Sequence, residues 1–293
     1  MAVGSTIYFN DLSSLRNTMN TILNGTAVGS GYNQAHAISA NPVTGDLIDD
    51  AYYDSIYSAA AKISNFYNIT NPFVAVNAGT VVAWSHYGSS AAAFESTISA
   101  QHASPWTNGA AWDTTVGTVL TSSVANWNGS HTFDFNLTFS SAAHMNSWFT
   151  AGGEVRISMA HNSSADLQAA SWQQLCSELG TFTFSLKPTD STNVDLATNK
   201  TYSDLGASYA TVKQEYANAS YYSMNTIIIQ AYKTANVVYV RVTINDAHTG
   251  SYGGVGTDIV TGTTTATVVA RTTSNASGSV VIAAPTYTTT SNF

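Results

Sequence analysis

Few side chains in this sequence stand at spacings that support chemistry. Its histidines, at 36, 86, 102, 131, 144, 161 and 248, include no H-x-x-x-H or H-E-x-x-H pair of the kind that grips zinc from one helix face. The tightest polar group is "INDAHTG", where Asn245, Asp246 and His248 follow a run of alternating apolar residues. Asp246 and His248 could share a metal or a proton. The same residue types also close a strand by bonding to its last backbone groups. Glu154 and Arg156 stand two apart on one strand face and can pair with each other. A glycosidase needs two carboxylates facing one cleft, and Asp134 and Glu154, on neighbouring predicted strands, are the best-placed pair. No G-x-S-x-G, phosphate loop or G-x-G-x-x-G stands between a strand and a helix, and the glycine-rich "GSYGGVG" at 250–256 has no lysine to meet a phosphate. The single cysteine, Cys176, allows neither an internal disulfide nor a cysteine-based zinc site, and it falls on the apolar side of a helix pattern. These patterns assign no catalytic, cofactor-binding or metal-binding residue, and the chain is expected not to be an enzyme.

Composition narrows the partners. The chain has 293 residues, 44% of them hydrophobic and 11% aromatic, enough for a sizeable buried core. Only 9% are charged, against about 25% in ordinary soluble proteins. The exterior must therefore be built from hydroxyls, amides and small residues, a surface suited to proteins packed against copies or partners. The 9 basic and 17 acidic residues give a net charge of −8 with no Lys/Arg cluster to neutralise phosphates, so no nucleic-acid partner is expected. No apolar run approaches the roughly 18 residues of a membrane span, so no membrane is expected either. The opening "MAVGSTIYFNDL" lacks the basic and long apolar parts of a secretory signal.

The elements that must position any site fall into two kinds. Leu12, Leu15, Met19 and Ile22 recur at helical spacing and stop at Asn24-Gly25, a helix-ending pair. A second helical stripe runs through Tyr53, Ile56, Ala60 and Ile63, ending before Asn71-Pro72. Displacing the first stripe by 41 residues lays it on the second, with Ile7 on Ile48 as well, so one helical unit is used twice. Two such helices bury too little to stand alone and should pack on another domain or chain. Residues 71–129 show no steady period, although Trp84, Trp106 and Trp112 argue against complete disorder. From His131 the pattern turns to strict alternation, Phe133, Phe135, Leu137 and Phe139 against polar neighbours. Ser140–Phe149 reads as a short helix, ended by Gly152-Gly153, with Trp148 and Phe149 as plugs on its last turn. Asp166–Leu179 reads as a second helix, and strands follow in "TFTFSL", at 224–232, 237–246 and 264–271, with a strand-like stretch at Val280–Ala283. The expected class is α+β: an N-terminal short helical module at 1–70, an irregular connector at 71–129, a mainly antiparallel β-sandwich with two inserted short helices at 130–272, and a tail at 273–293.

The run Phe133–Ser158, with "TFTFSL", "VVYVRVTINDAHTG" and "TTTATVVART", resembles structural proteins of tailed-phage virions, cyanophages in particular. The resemblance is carried by Trp148, Phe149, Ala151, Gly152, Gly153, Glu154 and Arg156 after a strand and a short helix, and by the glycine-rich loop "NGTAVGSGYNQ" at 24–34. It covers most of 1–70 and 130–272, and departs in the middle and over 187–203, where "KPTDSTNVDLATNKTY" need not match anything. It implies a virion protein, tail-associated at the tail, baseplate, neck or fibre attachment, made in the host cytoplasm, with no cofactor. Its partners would be copies of itself, in a trimer or higher ring, and other virion proteins. A host receptor or surface glycan bound by a tail fibre is the alternative. Leu12, Leu15, Met19, Ile22, Tyr53, Ile56, Trp148, Phe149, Gly152, Gly153, Glu154 and Arg156 are the structural or interface candidates.

Overall fold

The N-terminal stripes become helices α1 (Phe9–Asn24) and α2 (Asp50–Tyr67), which begin at matched positions of the displaced repeat. Leu12 and Tyr53, Leu15 and Ile56, Met19 and Ala60, and Ile22 and Ile63 are all buried. A third helix, α3 (Ser90–Ala103), packs on both. The computed structural model describes residues 9–41, 50–77, 90–103, 119–186, 201–218, 222–248, 258–272 and 280–292. Ile7, Ile48, Trp84, His86, Trp106, Trp112, the "GSYGGVG" segment and most of 187–202 lie outside these residues.

The chain divides into two compact units. Unit one takes the chain up to Asp113 together with Asn146–Gly152 and Thr272–Ala283. Its core joins the stripes of α1 and α2 with Tyr32, Phe66, Tyr67, Phe73, Phe94 and Ile98, and takes in Ala151 and Val280 from the distant pieces. The helical module therefore buries its stripes within its own unit, where two helices alone could not. α2 ends on Asn68, at φ 54°, and the Ile69 amide donates to the Ser64 carbonyl at 2.9 Å, satisfying a carbonyl that the helix leaves open.

Unit two holds two antiparallel sheets and makes the fold α+β, as the alternation requires. One sheet has the order β1-β8-β3-β4, from β1 (Val119–Trp127), β3 (Glu154–His161), β4 (Thr181–Phe184) and β8 (Val260–Arg271). The other has the order β5-β6-β7-β2-β9, from β2 (Ser130–Thr138), β5 (Ala210–Tyr216), β6 (Thr226–Lys233), β7 (Val237–Asn245) and β9 (Thr286–Asn292). β1 pairs with β8 and β2 with β7, so a two-stranded ribbon is shared between the sheets. Phe133, Phe135 and Leu137 meet Val242, Val240 and Val238 across the ladder, and all six are buried. Val155 and Ile157 face Phe184 and Phe182 likewise.

Two further helices follow in the chain, α4 passing from unit two into unit one and α5 lying within unit two. α4 (Ala142–Thr150) starts on Ser141, whose hydroxyl accepts from the His144 amide at 3.0 Å. α5 (Leu167–Leu179) starts on Asp166, which accepts from the Ala169 amide at 2.7 Å, and ends on Gly180 at φ 61°. α5 buries Trp172, Leu175, Cys176 and Leu179, and Trp172 meets the Trp127 ring edge-on at 4.8 Å. Burial pushes the Cys176 thiol up to about 12, so it stays protonated and serves as a small apolar residue.

Several boundaries differ from the sequence reading. The segment 71–129 contributes α3 and β1. Val280–Ala283 is not a strand; the terminal strand is β9. The tail is divided, Val280–Ala283 in unit one and the following residues in unit two. The turn after α4 takes its positive φ, 92°, at Gly152, and Gly153 needs none.

Candidate functional site

The glycine-rich loop at 24–34 and residues 146–152 meet in unit one. The loop after α1 turns back over the helix end: the Tyr32 amide donates to the Ile22 carbonyl at 2.9 Å and the Gln34 amide to the Leu23 carbonyl at 2.8 Å. Asn24 adds a paired bond to the same returning strand, its Nδ2 donating to the His36 carbonyl and its Oδ1 accepting from the His36 amide. The glycines make this return possible. A Cβ on Gly25 would lie 2.6 Å from the Thr21 carbonyl oxygen and 2.7 Å from that of Ser30, and one on Gly31 would lie 2.6 Å from the Gly25 nitrogen. The end of α4 then clasps the loop. The Gly29 amide donates to the Thr150 hydroxyl at 2.9 Å, and Asn146 Nδ2 donates to the Thr26 carbonyl at 3.1 Å. Trp148 and Phe149 are fully buried and meet edge-on at 4.7 Å, and Trp148 Nε1 donates to the Thr272 hydroxyl at 2.7 Å.

Beneath the loop lies a buried polar triangle. The Tyr32 and Tyr67 hydroxyls are 2.7 Å apart, and His102 Nδ1 stands 3.2 Å from Tyr67 and 3.3 Å from Tyr32. His102 Nε2 lies 3.1 Å from the Gly29 carbonyl, which can only accept, so the ring proton sits on Nε2 and Nδ1 receives a tyrosine proton. Burial lowers the His102 pKa and raises those of Tyr32 and Tyr67, keeping all three neutral. Beside it a groove of about 380 Å³ runs between α1 and α3, lined by Ser14, Thr18, Thr21, Ser99 and His102. The Ser14 and Thr18 hydroxyls both donate to Glu95 at 2.8 Å.

The apolar interface candidates Leu12, Leu15, Met19, Ile22, Tyr53 and Ile56 are buried in the core of their own unit, so none of these side chains faces outward. Glu154 and Arg156 pair at 3.0 Å, as their spacing implies, with the Glu154 carboxylate nearly covered. Asp134 and Glu154 do not form a couple. They lie on different sheets, and Asp134 accepts two bonds from Arg241, at 2.7 and 3.0 Å. The strands are consecutive in sequence, but the chain changes sheet between them, which local alternation cannot reveal.

A polar face that the sequence reading did not identify surrounds Asp134. Arg241 lies over the Tyr209 ring, 4.2 Å from its centroid, and Tyr209 meets Tyr232 edge-on at 4.6 Å. Tyr232 stacks parallel on Tyr239, its cross-strand partner, at 4.2 Å. Tyr239, Arg241 and Thr243 alternate with the buried positions of β7, but their partners on β6 and at Tyr209 depend on strand order.

Asn245–His248 close the end of β7, and Thr249 and Gly250 of "INDAHTG" lie outside the described residues. Asp246 is buried, accepts from Gln168 at 2.5 Å, and its amide donates to the Gly129 carbonyl at 2.8 Å. Burial raises its pKa to about 6. His248 turns its ring to Tyr222 at 4.9 Å. Among the described residues no three His, Cys, Asp or Glu side chains form a group that could hold a metal ion. No helix among them is long and apolar enough to cross a membrane. No protein-family model, no curated protein and no solved structure matches the chain.

Proposed function

We propose that this chain is a non-enzymatic structural component of a tailed-phage virion, tail-associated at the tail, baseplate, neck or fibre attachment, and that it works by assembling with copies of itself and with other virion proteins. The observation that carries this reading is the nested pairing of β1 with β8 and of β2 with β7 across two sheets. That ribbon is the germ of a jelly roll, an architecture used in capsid and lectin domains. Fold alone underdetermines function, so the reading also leans on the surface and on the resemblance. With 9% charged residues, the exterior offers hydroxyls and amides, suited to lasting contact with like surfaces. The loop at 24–34 and the aromatic-glycine stretch at 146–152 hold each other, so two pieces that carry the resemblance form one local structure. Mass spectrometry of gradient-purified particles from cells infected with a phage encoding this chain tests the proposal. Enrichment of the chain alongside the tail proteins is expected; its absence from the particles contradicts it.

A second reading, glycan binding by a fibre, is favoured by the face of Tyr209, Tyr232, Tyr239, Arg241 and Asp134, which joins aromatic rings to a planar ion pair. Tyr239→Ala should abolish binding on a glycan array without lowering the melting temperature by more than a surface substitution does. An array with no hits for the unaltered chain removes this reading.

A further inference from the structure

We infer that the end of β7 holds a hydrated divalent cation, calcium in particular, with Asp246 and Asp258 as its direct ligands and Asn225 and His248 bonded to its waters. All four residues belong to unit two, and the inference does not rest on the virion reading.

Polar atoms without partners mark the place. Asp246 is only 5% exposed; its Oδ2 accepts from Gln168, but its Oδ1 is buried and receives no hydrogen bond. Asn225 is 1% exposed; its Oδ1 accepts from the Ala247 amide at 3.0 Å, while its Nδ2 has no acceptor. Asp258 Oδ1 and His248 Nδ1 are buried and unpaired as well. Buried polar atoms are nearly always paired, so four such atoms in one place require an explanation. They are neighbours. The Asn225 side chain and the His248 backbone lie close enough to favour the charged form of Asp246, yet neither meets Oδ1 in hydrogen-bonding geometry. The Asp246 amide donates to the Gly129 carbonyl at 2.8 Å, and the adjacent Asn128 donates to Asp258 Oδ2 at 3.4 Å. The Asn225 amide donates to the Tyr222 carbonyl at 2.9 Å, and the Tyr222 ring meets His248 at 4.9 Å.

Charge separates a cation from a plain water. Burial and then the Asp258 charge raise the Asp246 pKa, and burial and then the charges of Asp166, Asp246 and Asp258 raise that of Tyr222. No lysine or arginine figures among these charges. Asp166 is already engaged, accepting from the Ala169 amide at the start of α5. A buried water would pair Asn225 Nδ2 with Asp246 Oδ1, but it would leave two neighbouring carboxylates without a counter-charge. A hydrated divalent cation meets both needs: the carboxylate oxygens bind the ion, and its waters donate to His248 Nδ1 and accept from Asn225 Nδ2. Carboxylates and water are the ligands that calcium takes. No three acidic, histidine or cysteine side chains gather there, so water completes the shell, and the affinity belongs to the weak class, with a Kd of about 10⁻⁴–10⁻³ M.

Melting of the full chain in calcium chloride and in EDTA, at equal ionic strength, tests the site. Calcium at about 10 mM should raise the melting temperature by about 2–4 °C. Asp258→Asn removes one ligand from a half-buried position, and its melting temperature should not respond to calcium. An unaltered chain that melts alike in calcium and EDTA overturns the site, and so does an Asp258→Asn variant that gains as much as the unaltered chain. Amide hydrogen exchange locates the ion without any substitution, and so decides the point even if Asp258→Asn does not fold. Calcium should slow exchange in the peptides that carry Asn225, Asp246 and Asp258; slowing elsewhere and not in these peptides places the ion at another site and overturns the inference.

Discussion

At the level of single residues, two buried titratable groups pull stability in opposite directions with pH. His102 is held neutral, with its pKa lowered mainly by burial and the Gly29 carbonyl opposing in part. Above the ordinary value of 6.5 both folded and unfolded chains are neutral there. As pH falls through that value the unfolded chain gains a proton that the folded one resists, so stability drops. His36, His131 and His161 are lowered in the same direction, again mainly by burial. His102→Gln should therefore flatten part, not all, of the acid-side decline in urea midpoints between about pH 7 and pH 5; an unchanged profile would mean that the triangle does not resist protonation. Asp246 acts the other way. Its pKa is raised from 3.8 to about 6, so its contribution is fully present below 3.8 and is lost as pH rises through 6. Asp246→Asn should lose this dependence, so that on going from pH 4 to pH 6 its stability falls less, or rises more, than that of the unaltered chain on the same titration; a variant that tracks the unaltered chain throughout would show that Asp246 ionises normally.

At the level of elements, the loop after α1 is the most constrained local structure. Gly31→Ala puts a Cβ against the Thr21 carbonyl and the Gly25 backbone, neither of which can swing aside as a side chain would. A loss of about 1–3 kcal/mol is expected from equilibrium denaturation, and a silent substitution would mean the loop does not return over α1. Gly152→Ala, at φ 92°, should cost about 1–2 kcal/mol. The sequence made α1 and α2 legible because their apolar residues keep a helical period, and it made β2 and β7 legible because theirs alternate strictly. α3 was hidden: it buries only Ala91, Phe94 and Ile98 in a helix otherwise full of small residues. β1 buries just Val124 and Trp127, β5 loses its alternation at a bulge, and β9 has almost no apolar side to show. The glycine loop and the aromatic-glycine stretch could each be picked out. Their mutual contact joins residues 121 positions apart, and nothing local encodes it. The Asp134 and Glu154 pairing failed for a related reason, since a change of sheet between consecutive strands leaves no periodic trace.

At the level of the whole molecule, the low charge predicts how the chain should associate. With only 9 basic and 17 acidic residues, contacts between copies would depend on backbone and hydroxyl bonds more than on ion pairs. Raising sodium chloride from about 0.1 M to about 1 M shortens the range of ionic attraction from about 10 Å to about 3 Å. Any oligomer that sedimentation finds should persist through that change; dissociation in salt would assign the contact to charges. Membership of a virion is decided by the protein content of gradient-purified particles. The chain should be enriched with the tail proteins at a fixed stoichiometry; a chain confined to the infected-cell lysate and missing from intact particles would refute the proposed role.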